Sequence, residues 1–192
     1  MDDRLDRVFV DTSELFPFTI MDVLLTFSDQ FVFTWVWTDE LLDEWEEVIV
    51  REGQRAPESA HSVANAARAH FASSRIDPAQ YRDQITDDLS PDPGDRVHVA
   101  ACLHGHVDVL VTRNTKHYRS PKLAGQGVRV MTADDFLCEL LNRKPQLATE
   151  SFISTANART RPPVTVREFA DRIAAAGAPT FASRLRRKLG YS

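Results

Sequence analysis

Cysteine is scarce in this chain of 192 residues: there are two, Cys102 and Cys138. Both sit in apolar, periodic stretches, which excludes a disulfide framework and leads us to expect a reducing compartment, the cytoplasm. Long apolar runs are missing as well. No stretch reaches the ~18 residues of a membrane span, and the opening Met-Asp-Asp-Arg-Leu-Asp-Arg is too charged for a secretory leader, so no membrane partner is expected. There is no Gly-rich phosphate loop and no Ser nucleophile elbow. His98, His104, His106 and His117 show no zinc-ligand spacing. Internal repeats and low-complexity tracts are absent. What remains, at 43% hydrophobic and 27% charged, is an ordinary globular composition.

The formal net charge of −5 hides two opposite signs. Residues 143–192 hold ten Lys/Arg against three Asp/Glu, whereas residues 1–142 hold 13 basic against 25 acidic side chains. An acidic body with a basic tail hints at a nucleic-acid partner.

Val8-Phe9-Val10 is a β-branched and aromatic run that stops at Asp11, and it reads as a buried strand. Thr12 and Ser13 are expected to cap the next segment, with helical spacing from Phe18 to Phe27. Phe31 to Trp37 reads as a second strand. Thr38 caps a helix over residues 39–51 that stops at Gly53. Pro57 opens another, through about Ser74. Residues 75–94 read as loop. Asp95 begins a helix to Leu103, and two more strands lie at 107–111 and 128–131. Thr132-x-x-Asp135 opens a helix to about Arg143. Strands alternating with helices predict an α/β fold with a central parallel sheet between helical layers. Pro145 is expected to break the chain, dividing a domain over residues 1–144 from a basic helical extension over 145–192. In that extension Thr165-x-x-Glu168 is a capping box, Gly177 a stop, and Pro179 leads into a second short helix. Phe169, Ile173, Phe181 and Leu185 give the extension an apolar face to dock.

Ligand sites of parallel sheets lie at the carboxyl ends of the strands. Asp11 and Asn114 each come just after a strand and are therefore expected at one edge. Asp11 reads as a helix cap or a metal ligand. Glu44 falls within the apolar stripe Leu41, Leu42, Trp45, Val48 and Ile49, where a carboxylate needs a partner or an ion unless it snorkels out. Asp92 and Asp95 flank Pro93-Gly94 at a helix start. They read as cap and first-turn residues, or as part of an oxygen-rich cation site. Asn114 alone reads as a turn residue. Together the converging carboxylates are tolerable if Mg²⁺ or Mn²⁺ neutralises them.

These residues stand in blocks that resemble the PIN-domain ribonucleases, and more narrowly the VapC-type toxins of bacterial toxin–antitoxin pairs. The blocks are Val8-Phe9-Val10-Asp11-Thr12, Thr38-Asp39-Glu40-Leu41-Leu42-Asp43-Glu44, Asp92-Pro93-Gly94-Asp95-Arg96-Val97-His98-Val99-Ala100-Ala101, and Val109-Leu110-Val111-Thr112-Arg113-Asn114. Gly127-Val128-Arg129-Val130, leading to Asp134-Asp135-Phe136-Leu137, completes a match over roughly residues 7–142. The resemblance implies a three-layer α/β/α PIN-like fold. It also implies a metal-dependent endoribonuclease with Asp11, Glu44, Asp95 and Asn114 at the catalytic centre. Asp11, Glu44 and Asp95, joined by Asp92, would hold Mg²⁺ or Mn²⁺. Asn114 departs from the family's fourth acidic position, and Ser13 from the asparagine common in the first motif. The partners implied are RNA, with tRNA the expected target, a cognate antitoxin, and a second copy of the chain. Arg113, Arg184, Arg186, Arg187 and Lys188 are candidate RNA contacts, the tail reading either as a phosphate clamp or as a solvated helical surface. The alternatives are a non-toxin PIN-fold nuclease of RNA processing, or an RNA-binding module with weakened catalysis.

Overall fold

The structure, a computed structural model, describes residues 4–118, 120–160 and 162–191. In chain order its elements are β1 (Arg7–Val10), α1 (Thr12–Leu15), α2 (Phe18–Asp29), β2 (Thr34–Val36), α3 (Asp39–Arg51), α4 (Pro57–His70), α5 (Pro78–Tyr81), α6 (Pro93–His104), β3 (Val109–Val111), α7 (Pro121–Gly125), β4 (Arg129–Met131), α8 (Ala133–Arg143), α9 (Pro145–Asn157), α10 (Val166–Ala176) and α11 (Pro179–Lys188). Single 3-10 turns lie at Ala72–Ser74 and Arg82–Gln84. The chain is an α/β protein that folds as two compact units, one comprising residues 6–16 and 34–131, the other Arg4, Leu5 and residues 17–33 and 132–191.

The first unit carries the sheet, in strand order β2-β1-β3-β4 and parallel throughout. Val8 pairs with Trp35 on one side and Val109 on the other, and Val109 pairs in turn with Arg129. Val8, Phe9, Val10 and Val109, Leu110, Val111 are buried completely, which explains why the two central strands are unbroken apolar runs rather than alternating ones. The register extends one residue past the strands: Asp11 N–H donates to Val111 O at 2.9 Å, and Thr112 N–H to Met131 O at 2.9 Å. Asp11 and Thr112 are thereby set side by side at the carboxyl edge. On α6, the buried ring of His98 lies 5.6 Å from that of Phe9. The α3 stripe buries Leu41, Leu42, Trp45 and Ile49, and Trp45 Nε1 donates to Leu15 O at 3.2 Å, tying α3 to α1.

The second unit is built on aromatic packing. Phe152 on α9 meets Phe169 on α10 at 5.1 Å and Phe181 on α11 at 5.7 Å between ring centroids. Arg159 pairs with Asp22 of α2 and lies over the Phe169 ring. The Asp134 carboxylate of α8 accepts from Thr180 N–H at 3.1 Å and Phe181 N–H at 2.8 Å, capping α11. Phe169, Ile173, Phe181 and Leu185, expected to seek a docking surface, form the core of their own unit.

Several sequence expectations change. Phe31 is not strand: its φ of 57° is left-handed and it is 74% exposed, so β2 begins only at Thr34. Asp11, not Thr12 or Ser13, caps α1. Asp92 caps α6, with Pro93 at the first helical position and Asp95 in the first turn. Residues 75–94 contain α5, capped by Asp77. Pro145 follows the end of α8 at Arg143, so one helix stops and another begins there. It opens α9, because a proline at the first helical position lacks only an N–H that would have no partner there. The capping box at Thr165 and Glu168 and the stop at Gly177 (φ 121°) are present.

Candidate metal and active site

Asp11 is a carboxylate with only 5% exposure, so its charge must be met by donors. Three hydroxyls supply them. Ser13 Oγ donates to Asp11 Oδ2 at 2.5 Å, Thr112 Oγ1 to Oδ2 at 2.9 Å, and Tyr118 Oη to Oδ1 at 3.2 Å. Asp11 thus caps α1, as one of its two sequence readings has it, and shares the Tyr118 hydroxyl with Asp95.

The same Tyr118 Oη lies 3.0 Å from Asp95 Oδ1. A phenol has one hydrogen, so Tyr118 serves two carboxylates with a single donor. Burial raises the Tyr118 pKa, the Asp11 and Asp95 charges raise it further, and the phenol stays protonated. Asp95 is also held above its ordinary value. Burial is the main cause, the Asp92 and Asp11 charges add to it, and the Tyr118 bond and His98 counter it only in part. Asp95 Oδ2 is buried and has no hydrogen-bond partner among the described residues. One ligand atom each from Asp92, Asp95 and His117 lie within 4.8 Å of one another.

Glu44 reaches the surface but is not without a partner. Its Oε2 accepts from His98 Nε2 at 2.8 Å, and its side chain is 46% exposed while that of His98 is 3% exposed. Burial acts to raise the Glu44 pKa, but the His98 bond and charge outweigh it, so the carboxyl lies below its ordinary value. Asp95 and His98 are three residues apart on α6, hence on one helix face. That spacing links Glu44 of α3 to the Asp11–Asp95 pair.

Two family models match this chain, and the first, described as PIN domain, covers residues 7–116. The chain belongs to the PIN-domain family. The second, described as VapC50 C-terminal domain, covers residues 133–187 and marks it as a VapC-type PIN-domain toxin. Membership implies a nuclease with an RNA substrate and an antitoxin partner. No curated protein and no solved structure matches the chain.

Within the PIN domain, Asn114 sits in an exposed turn. Its N–H donates to Thr112 Oγ1 at 3.0 Å and its carbonyl accepts from His117 N–H at 2.9 Å. Among the described residues no contact joins its side chain to the carboxylates. Arg113 is engaged with the buried Glu14 at 3.1 Å. Tyr118, Thr112 and His98 have site contacts that their sequence neighbourhoods do not announce. Tyr118 ends a polar, aperiodic stretch, and only the fold brings it under Asp11, 107 residues away. A cleft of about 890 Å³ lies elsewhere, between α3 and α4. Among its acids Asp43 pairs with Arg68 at 2.5 Å and Glu46 hydrogen-bonds with His61 at 3.1 Å.

Proposed function

We propose that this VapC-type PIN-domain protein is a metal-dependent endoribonuclease toxin. It hydrolyses RNA phosphodiester bonds in the cytoplasm, has tRNA as its target, works as a homodimer, and is neutralised by a cognate antitoxin. One observation carries the reading: Asp11 and Asp95, from separate elements, share a single hydroxyl while Asp95 Oδ2 is buried without a donor. Such an oxygen is stable beside a cation and unfavourable without one.

Asp11, Asp92 and Asp95, with Glu44 beside them, are the oxygen donors for Mg²⁺ or Mn²⁺, both of which prefer such ligands. A cation held by these residues would supply positive charge to the scissile phosphate and would lower the pKa of a nearby water. Ser13, Thr112 and Tyr118 fix the Asp11 carboxylate before substrate arrives. Glu44, kept ionised by His98, accepts a proton from the attacking water as its oxygen bonds to phosphorus, and the bond to the leaving ribose oxygen breaks as that oxygen takes a proton from solvent. Asn114, neutral and exposed after β3, adds an amide at the site's edge without adding charge. An antitoxin that inserts a basic side chain among the carboxylates would take the cation's place.

The test is cleavage of RNA by the purified protein in Mg²⁺ against the same protein in EDTA. Cleavage is expected only with metal, and equal rates would refute the reading. Asp95→Asn should abolish both cleavage and growth inhibition on expression while leaving the circular dichroism spectrum unchanged. RNA ends mapped after brief induction should fall in tRNA, and co-expressed antitoxin should restore growth.

A further inference from the structure

The cations of the C-terminal helices are not equivalent. Arg159 is committed to Asp22 and Arg186 to Asp171. Arg161 lies outside the described residues. Arg184, Arg187 and Lys188 are exposed, and none has a hydrogen-bond or carboxylate partner among the described residues. All three line one cleft of about 550 Å³, together with Leu141, Asn142 and Pro145. No carboxylate borders that cleft among the described residues. Asn142 contributes an amide, and Pro145 is the first residue of α9, a 13-residue helix whose preceding residue, Lys144, offers it no side-chain cap.

Three like charges converging without a counter-charge repel one another, and such an arrangement favours an anionic occupant. A bland account exists for two of them: Arg187 and Lys188 complement the dipole at the end of α11. It does not reach Arg184, one turn earlier, and it does not require the charges to share a cleft with an amide.

We infer that this cleft is a second RNA contact, remote in sequence from the nuclease residues, in which Arg184, Arg187 and Lys188 bind backbone phosphates. The inference rests on RNA being the substrate class. The ligand is the phosphodiester backbone, not the bases: the lining has cations and one amide but no aromatic ring on which a base could stack.

The experiment is fluorescence anisotropy of a labelled single-stranded RNA with the full-length protein in EDTA, titrated across salt concentrations. Each phosphate contact contributes about 0.7 to the slope of log affinity against log salt. The triple variant Arg184→Gln/Arg187→Gln/Lys188→Gln should therefore lower the slope by about 2 and weaken binding roughly a hundredfold at 0.1 M salt. Arg186→Gln, on the same helix but paired with Asp171, should leave the slope within about 0.3. If the triple variant fails to fold, Arg187→Glu alone replaces it and should lower the slope by about 1. An unchanged slope overturns the proposal, as does an equal fall in Arg186→Gln, which would mean a generic charge effect. Tighter binding of a poly-glutamate peptide than of RNA would assign the cleft to an acidic protein partner and overturn it too. The two readings separate cleanly. A wild-type protein that cleaves RNA while the triple variant keeps its salt slope refutes the cleft alone. A protein that cleaves no RNA in any metal, yet loses slope in the triple variant, refutes the nuclease alone.

Discussion

Tyr118→Phe isolates the strain that a metal would relieve. The ring of Tyr118 is buried, and phenylalanine preserves its volume. What disappears is one hydroxyl, 3.2 Å from Asp11 and 3.0 Å from Asp95. A hydrogen bond to a charged group contributes about 1.5–3 kcal/mol, and among the described residues no second hydroxyl donates to Asp11 Oδ1, since Ser13 and Thr112 both serve Oδ2. For a chain of this size 1 kcal/mol corresponds to about 2–4 °C in Tm, so the metal-free variant should melt about 3–12 °C below the wild type. A cation would neutralise the same carboxylates and make the missing hydroxyl matter less. Metal present at a hundred times its Kd adds about 2.7 kcal/mol, and the rise in Tm on adding Mg²⁺ should be larger in the variant. The assay is thermal denaturation monitored by circular dichroism, after EDTA treatment and again with excess Mg²⁺. Equal metal-free Tm values would refute the bridging role of Tyr118. A smaller metal-induced rise in the variant would refute the argument that hydroxyl and cation serve the same charges.

Single contacts elsewhere are open to equally direct tests. His98→Ala should lower kcat while leaving RNA affinity nearly unchanged, because it frees Glu44 without touching the substrate; His98→Gln, which keeps a donor, should recover part of the loss. Gly105→Ala should destabilise by about 1–3 kcal/mol in urea denaturation, since a Cβ there would lie 2.6 Å from Ala101 O and 2.7 Å from Ile76 Cδ1. Glu40 gives the pH dependence. Burial raises its pKa, but bonds from Tyr81 Oη at 2.5 Å and from Arg82 outweigh that, and the carboxyl lies below its ordinary 4.5. The stability it contributes is therefore complete above pH 4.5 and lost as pH falls through the depressed folded value. Tyr81→Phe should be less stable than the wild type at pH 7, with the difference shrinking below pH 4.5 in parallel denaturant titrations.

The sheet was legible in the sequence because its central strands are short apolar runs bounded by polar residues, as Val8-Phe9-Val10 before Asp11 shows. Helix starts were legible where a side chain caps them, as at Thr38, Thr132 and Thr165. What was not legible depended on signals with two meanings. Pro145 reads as a break, yet a first-turn proline is equally a start, and only the burial of Ala148, Phe152 and Ala156 decides. Phe31 has strand propensity, but it sits in a left-handed turn after α2 where propensity has no say. Asp11, Glu44 and Asp95 stood out because each is a carboxylate where the local pattern wants something else. Tyr118 could not stand out in that way, and His98 did so only as a member of the Asp92–Ala101 block, with no role of its own. A tyrosine or a histidine is unremarked in a surface segment or on a helix, and their roles arise from partners 107 and 54 residues away.

Those partners also divide the carboxylates by function. Asp11 receives three hydroxyls and Glu44 receives His98, so both are oriented before anything binds. Asp95 receives one shared hydroxyl, lies beside two other acids, and keeps one buried oxygen without a hydrogen bond, His117 Nδ1 standing 3.9 Å from it. A cluster built only for capping would satisfy each carboxylate from its own helix, as Asp92 does with Gly94 N–H at 2.9 Å. The uneven satisfaction of the three is what a cap does not explain and a cation does. The deficit is concentrated on the residue that two other charges already disfavour, and a divalent ion placed against Asp95 would reverse both penalties at once.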